Sequence, residues 1–146
     1  MNAPILLVED NEDDEALALR ALRKNHLANE VAVVRDGAAA VAYLLGTAEA
    51  PPTEPLPAVV LLDLKLPKLD GFEVLQRLRA APRTRRLPVV ILTSSKEDRD
   101  LIESYDLGAN SFVRKPVDFD QFLEAVRQLG LYWLVVNEPP PAPREP

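Results

Sequence analysis

The sequence predicts an open α/β domain: a parallel five-stranded sheet with helices on both faces. Three observations predict it. Short Val/Ile/Leu-rich runs recur at residues 5–8, 31–34, 59–62, 89–92 and 111–113. Segments with helical periodicity separate them. The runs are too apolar for strands with one solvated face, so they read as parallel strands buried on both sides. Right-handed crossovers between five such βα repeats distribute the helices over both faces of the sheet.

The elements follow in order. Ile5-Leu6-Leu7-Val8 is the first strand and ends on the acid pair Glu9-Asp10. Asn11 then precedes Glu12-Asp13-Asp14-Glu15, whose charge suits a helix N-terminus, so these acids read as solvated residues complementing the helix dipole. His26, the single histidine, falls near the end of this helix and reads as a solvated or C-terminal helix residue. After the second strand and helix, residues 47–57 contain Pro51, Pro52, Pro55 and Pro57 and read as a stiffened loop, not a domain boundary. The third strand, within Ala58-Val59-Val60-Leu61-Leu62, ends on Asp63 and is followed by Leu64-Lys65-Leu66-Pro67. Asp70-Gly71-Phe72-Glu73, Ser95-Lys96-Glu97-Asp98 and Asp118-Phe119-Asp120-Gln121 each have the form of a capping box and predict the starts of helices three, four and five. In the last helix Phe119, Phe122, Leu123, Val126 and Leu129 form one apolar stripe. The run Leu131-Tyr132-Trp133-Leu134-Val135-Val136 has no obvious place in a completed five-unit sandwich. The tail, residues 138–146, holds five prolines in nine positions and is expected to be extended or disordered.

Composition narrows the function classes. A chain of 146 residues, 47% apolar and 27% charged, suits one globular domain. A formal charge of −6 and the absence of a long basic block argue against nucleic acid or anionic lipid as partner. The lack of cysteine excludes a disulfide framework or thiolate metal site and is compatible with a reducing cytosol. No signal-peptide pattern and no run of membrane-spanning length are present, so a cytoplasmic location is expected.

In open α/β sheets, ligands bind outside the carboxyl ends of the strands. Strand one ends there in Glu9-Asp10, strand three in Asp63 and strand four in Thr93, while Lys115 follows strand five. Three carboxylates meeting at one edge repel one another and call for a cation or protons. A few carboxylates with retained waters and phosphate oxygens suit magnesium. A carboxylate beside such an ion can attack phosphorus and become an acyl phosphate. Lys115 would then neutralise the equatorial oxygens, and Thr93 would offer one of them a hydroxyl.

These residues carry a specific likeness. Leu7-Val8-Glu9-Asp10-Asn11, Leu62-Asp63-Leu64-Lys65-Leu66-Pro67, Asp70-Gly71, Leu92-Thr93-Ser94-Ser95, Gly108-Ala109 and Lys115-Pro116 occur in this order at workable spacing. Over roughly residues 4–130 the chain resembles the receiver domain of response regulators, the phosphoacceptor half of two-component signalling. The resemblance implies a flavodoxin-like fold with strand order 2-1-3-4-5 and Asp63 as the residue phosphorylated by a sensor histidine kinase. It implies Mg2+ bound by Asp10, Asp63 and the backbone carbonyl of Lys65, with Glu9 acting through water. Lys115 would pair with the phosphoryl group and Thr93 would be the switch hydroxyl. Phe112 would be the switch aromatic, here without a tyrosine hydroxyl, and the Lys115-Pro116 bond would be cis. On this reading the chain is not an enzyme with turnover; it promotes only its own phosphorylation and dephosphorylation.

Two rivals share parts of the pattern. A magnesium phosphohydrolase of the haloacid-dehalogenase type also uses a strand-end aspartate, but it places an acid two residues later, where this chain has Lys65, and it carries a cap domain. A nucleotide- or flavin-binding module needs a phosphate-binding loop after strand one, where Glu9-Asp10-Asn11-Glu12 would repel phosphate. The domain organisation expected is a receiver at residues 1–130, an apolar extension at 131–137 and the proline-rich tail at 138–146, a single-domain regulator acting through protein contacts or as a phosphate relay. The segments Asn110-Ser111-Phe112, Lys115-Pro116-Val117-Asp118-Phe119-Asp120, the proline-rich loop and Leu131-Tyr132-Trp133-Leu134 resemble the receivers paired with bacterial phytochrome kinases. That likeness implies a light-sensing kinase as phosphodonor. It also implies a homodimer in which Leu131, Tyr132, Trp133, Leu134, Val135 and Val136 pack on the second subunit near helix five or strand five.

Overall fold

The computed structural model describes residues 3–24, 29–115 and 119–141, with the side chains of Phe119, Phe122, Leu134, Val135 and Val136 outside the description. Chain order is β1 (Ile5–Val8), α1 (Glu12–Lys24), β2 (Val31–Val34), α2 (Gly37–Leu45), β3 (Val59–Leu62), α3 (Gly71–Ala80), β4 (Val89–Thr93), α4 (Asp98–Asp106), β5 (Ser111–Arg114) and α5 (Phe119–Gly130). The five strands are all parallel, in the order β2-β1-β3-β4-β5. The expected fold and strand order are those observed; β4 and β5 each run one residue further than their apolar runs.

Alternation along the strands sorts the core into two layers. Leu6, Val8, Val60, Leu62, Val89 and Ile91 face a cluster with Ala40, Leu44, Val74, Leu75 and Leu78 from α2 and α3. Ile5, Leu7, Val59, Leu61, Val90 and Leu92 face Ala18, Ala21 and Leu22 of α1 and Val126 of α5. β1, β3 and β4 are buried at every residue, as both-face coverage requires. β2 and β5 are half-buried because each has a strand neighbour on one side only.

Helix starts follow their capping residues in two of the four segments the sequence marks. The Asn11 side chain accepts the Asp14 N–H at 3.0 Å and opens α1. Asp70 and Glu73 form a reciprocal capping box at α3. The box expected at Ser95 does not form. α4 begins at Asp98 with Glu97 at its cap and no side-chain bond there. The Ser95 hydroxyl instead donates to the Asp100 carboxylate at 2.6 Å, and its backbone N–H donates to the Thr93 hydroxyl at 3.3 Å. The Ser95 hydroxyl also accepts the Glu97 N–H at 3.3 Å, so it shapes the turn that precedes the helix and bonds to no N–H within its first turn. Asp118, expected to cap α5, lies outside the described residues, as does His26.

The apolar run after α5 continues it as a π-helical turn, Leu131–Val136, closed by the Asn137 N–H on the Tyr132 carbonyl at 2.6 Å. Trp133 is half-buried against the cluster shared by α1 and α5, so this residue has a place in its own domain. Tyr132 meets it edge-on, 5.1 Å between ring centres, while Leu131 and Tyr132 remain 48% and 50% exposed. Residues 138–141 of the tail are exposed and without regular structure.

Gly71 sets the distance between α3 and the end of β3. Its N–H donates to the Leu64 carbonyl at 2.8 Å. A Cβ there would meet the Asp63 carbonyl oxygen and sit 2.7 Å from the Leu64 Cα, backbone that has no rotamer with which to yield. Gly71→Ala is therefore expected to destabilise the protein by about 2 kcal/mol through overpacking, read as a lowered urea midpoint. It should also weaken divalent-cation binding by displacing the loop that carries Asp63.

Candidate functional site

The site grows out of strand register. Val8 pairs with Leu62, so the residues that follow, Glu9 and Asp63, leave the sheet at one level. The Asp63 N–H donates to the Val8 carbonyl at 3.2 Å and locks that alignment. Carboxylate oxygens of Glu9, Asp10 and Asp63 lie within 4.8 Å of one another, with Glu9 and Asp63 buried and Asp10 exposed. On the other side of β3, pairing of Thr93 with Arg114 brings the end of β5 level with β4, and the Lys115 N–H donates to the Thr93 carbonyl at 2.7 Å.

Lys115 then reaches back across the edge. Its Nζ lies 2.5 Å from Glu9 Oε1, 2.8 Å from Asp14 Oδ2 and 3.3 Å from Asp63 Oδ2, and its side chain is 8% exposed. The three N–H donors of the ammonium thus meet three different carboxylates. Burial alone would lower the Lys115 pKa; hydrogen bonds to Asp14 and Glu9 and the charges of Asp63 and Glu9 outweigh it and raise it. Glu9 is pushed up to about 7 by burial and by the neighbouring Asp63 charge, against the hydrogen bond from Lys115. Asp63 Oδ1 accepts the Leu64 N–H at 2.7 Å, which orients the carboxylate and leaves Oδ2 on the Lys115 side.

A cleft of about 570 Å³ opens over these groups, lined by Asp10, Asn11, Glu12, Asp13, Asp14, Asp63, Lys65, Ser94 and Lys115. Its donors are oxygens and its charge is predominantly negative, a set that suits a hard divalent cation. A slightly larger cleft, about 680 Å³, lies at the start of β4 and β5 between Pro88, Asn110, Ser111, Tyr132 and Trp133. It has no cluster of carboxylates and is not where the chemistry converges.

Of the residues singled out in the sequence, Asp10, Asp63, Lys65 and Lys115 line the cleft, and buried Glu9 completes the acid cluster. Thr93 is fully buried and outside the lining, its hydroxyl occupied by the Ser95 N–H; Ser94 is the hydroxyl-bearing residue that lines the cleft. Phe112 pairs with Ile91 in register and packs partly buried against the α2/α3-side core, with the Arg114 guanidinium 5.7 Å from its ring centre. The Lys115-Pro116 bond falls on Pro116, outside the described residues.

Asp14 is the residue that sequence reasoning passed over. With Asn11 as cap it occupies the third helical position, where side chains lean back over the helix N-terminus toward the sheet edge. That spacing was the available signal, hidden among four consecutive acids.

Residues 5–127 match the response regulator receiver domain. The chain belongs to this family. Response regulator Rcp1 of Synechocystis sp. (strain ATCC 27184 / PCC 6803 / Kazusa) is 38% identical over 130 residues, 89% of this chain and 88% of the relative. The Mn(2+)-bound form of Rcp1 superposes with a TM-score of 0.85 over 95% of this chain and 99% of that one. The phosphorylated cyanobacterial phytochrome response regulator RcpA gives 0.88 at 37% identity, covering 97% of this chain and all 100% of that one. The bacteriophytochrome response regulator RtBRR is 54% identical, with a TM-score of 0.75, over 97% of this chain and 86% of that one.

The receiver is therefore a signalling module of a family whose members bind a divalent metal in an acidic pocket and are phosphorylated by histidine kinases. Membership sets aside the phosphohydrolase reading. Among the described residues, no helix is long and apolar enough to cross a membrane.

Two expectations follow from the electrostatics. The native-state pKa of Glu9 lies above its ordinary value of 4.5, so the folded protein retains a proton that the unfolded chain loses. Its contribution to stability is present below about pH 4.5, declines up to about pH 7 and is constant above. A cation must displace that proton, so Mg2+ affinity measured by calorimetry should rise from pH 5.5 to 8 and level off, with proton release to the buffer greatest at the acid end of that range, falling through pH 7 and small at pH 8. Lys115→Met removes the shared counter-charge. The metal-free variant should lose about 3 kcal/mol in urea unfolding, recover part of it on adding Mg2+, and bind Mg2+ more tightly than wild type.

Proposed function

We propose that Asp63 accepts a phosphoryl group from a sensor histidine kinase and that the phosphorylated receiver presents a changed α4–β5–α5 surface to its partners. One observation carries this reading: a buried, oriented carboxylate at a strand end shares a buried ammonium with two further acids beneath a cleft open to solvent. Asp63 Oδ2 attacks phosphorus, the bond from phosphorus to the histidine nitrogen breaks, and its electron pair stays on that nitrogen, giving an aspartyl phosphate. Asp10, Asp63 and the Lys65 carbonyl would hold Mg2+, with Glu9 contributing through water. The ion supplies positive charge to the transferring oxygens. Lys115 turns an N–H from Asp63 to the phosphoryl group. Thr93 swings its hydroxyl from the Ser95 N–H to a phosphoryl oxygen, and Phe112 turns inward into the space released, driven by burial of its ring.

The likeness to RcpA and RtBRR supports a phytochrome-type kinase as phosphodonor, and the proposed setting for the pair is the cytoplasm. The domain organisation that fits is a receiver at residues 1–130 followed by a contact segment at 131–137 and the tail at 138–146. Because Trp133 already packs on its own domain, Leu131 and Tyr132 are the described side chains in that segment free to meet a second subunit of a homodimer.

Incubation with Mg2+ and a small acyl phosphate should give a labile adduct by mass spectrometry, absent from Asp63→Asn and without chelator-free metal. No Asp63-dependent adduct in wild type would overturn the phosphoacceptor reading. Replacing Leu131 and Tyr132 together by aspartate should convert a dimer to monomer in sedimentation without lowering the unfolding midpoint by more than about 1 kcal/mol. An unchanged mass would remove this segment from the interface.

A further inference from the structure

Asp14 holds the ammonium that the phosphoryl group needs. It lies 2.8 Å from Lys115 Nζ, while Asp63 lies 3.3 Å away, so the lysine sits closer to the first turn of α1 than to the phosphoacceptor. Asp14 is itself fixed: its N–H is bound by the Asn11 cap at 3.0 Å, and its side chain lines the cleft. Asp13, one residue earlier, lines the same cleft. We propose that Asp14 is a positioning residue for phosphoryl transfer, a competing counter-ion that restrains Lys115 and sets how much of its charge reaches the phosphoryl group. The inference rests on the phosphoacceptor reading of Asp63 and adds to it.

The physical argument gives opposite signs for the two ligands of the site. A divalent cation is attracted by every carboxylate around the cleft, so the negative charge of Asp14 favours it. A phosphoryl group is repelled by that charge and must also draw Lys115 away from it, so Asp14 disfavours the phosphorylated state twice over. Lys115 keeps Glu9 as an anchor when Asp14 is neutralised. The ammonium is then free to pivot between Glu9 and Asp63. Asp14 therefore trades phosphoryl retention for metal affinity. A residue that merely supported α1 would move both ligands in the same direction.

The test measures binding of Mg2+ alone, and of beryllofluoride at saturating Mg2+, to wild type, Asp14→Asn, Asp14→Ala and Asp13→Asn by calorimetry, with thermal unfolding of each. Beryllofluoride mimics a phosphoryl group on a carboxylate. Asp14→Asn should bind Mg2+ about three- to ten-fold more weakly and beryllofluoride more tightly by a similar factor. Asp14→Ala should show the same two signs, which keeps the proposal open to test if one variant folds poorly. Asp13→Asn removes a charge from the same turn without a bond to Lys115; it should weaken Mg2+ and leave beryllofluoride within about two-fold of wild type. Weakening of both ligands in the Asp14 variants, or equal tightening of beryllofluoride in Asp13→Asn, overturns the role of Asp14. Failure of wild type to bind beryllofluoride at all would instead overturn the reading of Asp63 on which the inference stands.

Discussion

One ammonium shared among carboxylates is the constraint around which the receiver is arranged. Glu9 and Asp63 are taken almost fully out of water at the ends of adjacent parallel strands. Without a positive charge between them, one would have to hold a proton throughout the physiological range. Lys115 supplies that charge from the far side of the sheet, more than a hundred residues away from Glu9 in sequence. Everything that brings Lys115 there is therefore part of the site: the register of β4 with β5, and the backbone bond from Lys115 to Thr93.

The compensation is incomplete, and function follows from that. A single ammonium cannot neutralise four nearby acids, so the cleft keeps an unmet negative charge that a divalent cation satisfies. The same ammonium cannot be held fully by Glu9, Asp14 and a phosphorylated Asp63 at once. On the proposed mechanism this sharing makes the site responsive: whichever anion gains charge draws Lys115 toward itself and releases the others. The protein need not reorganise its core for this, since the packed layers beneath β1, β3 and β4 are rigid on that scale.

The route outward is visible in the hydrogen bonds around the end of β4. The Thr93 hydroxyl accepts the Ser95 N–H, the Ser95 hydroxyl donates to Asp100 in the first turn of α4, and the Ser95 carbonyl accepts from Arg114 at 3.3 Å. Arg114 in turn covers the Phe112 ring. A change in the partner of Thr93 is thereby felt by Ser95, and Ser95 is tied both to α4 and to β5. This connects the proposed switch residues through contacts already present, with α4 carrying the exposed Ile102 and Tyr105 outward.

Much of this was legible in the amino-acid order. Apolar runs of three to five residues marked the parallel strands, and acids or hydroxyls at their C-terminal ends marked the edge where chemistry collects, because both signals are local. Asn11 and the Asp70/Glu73 pair marked helix starts for the same reason. What the sequence left undecided depends on direction and competition between distant groups. Ser95 looked like a cap until the Thr93 hydroxyl and Asp100 were found to claim it. Trp133 looked homeless until the apolar cluster on the α1/α5 face of the sheet was found to take it. Asp14 looked like one of four solvated acids until the lean of the first helical turn set it against Lys115. The sequence by itself determined the fold and the set of groups at the sheet edge. Only the tertiary structure decided which carboxylates share the ammonium, because that depends on a few tenths of an ångström between residues far apart in the chain.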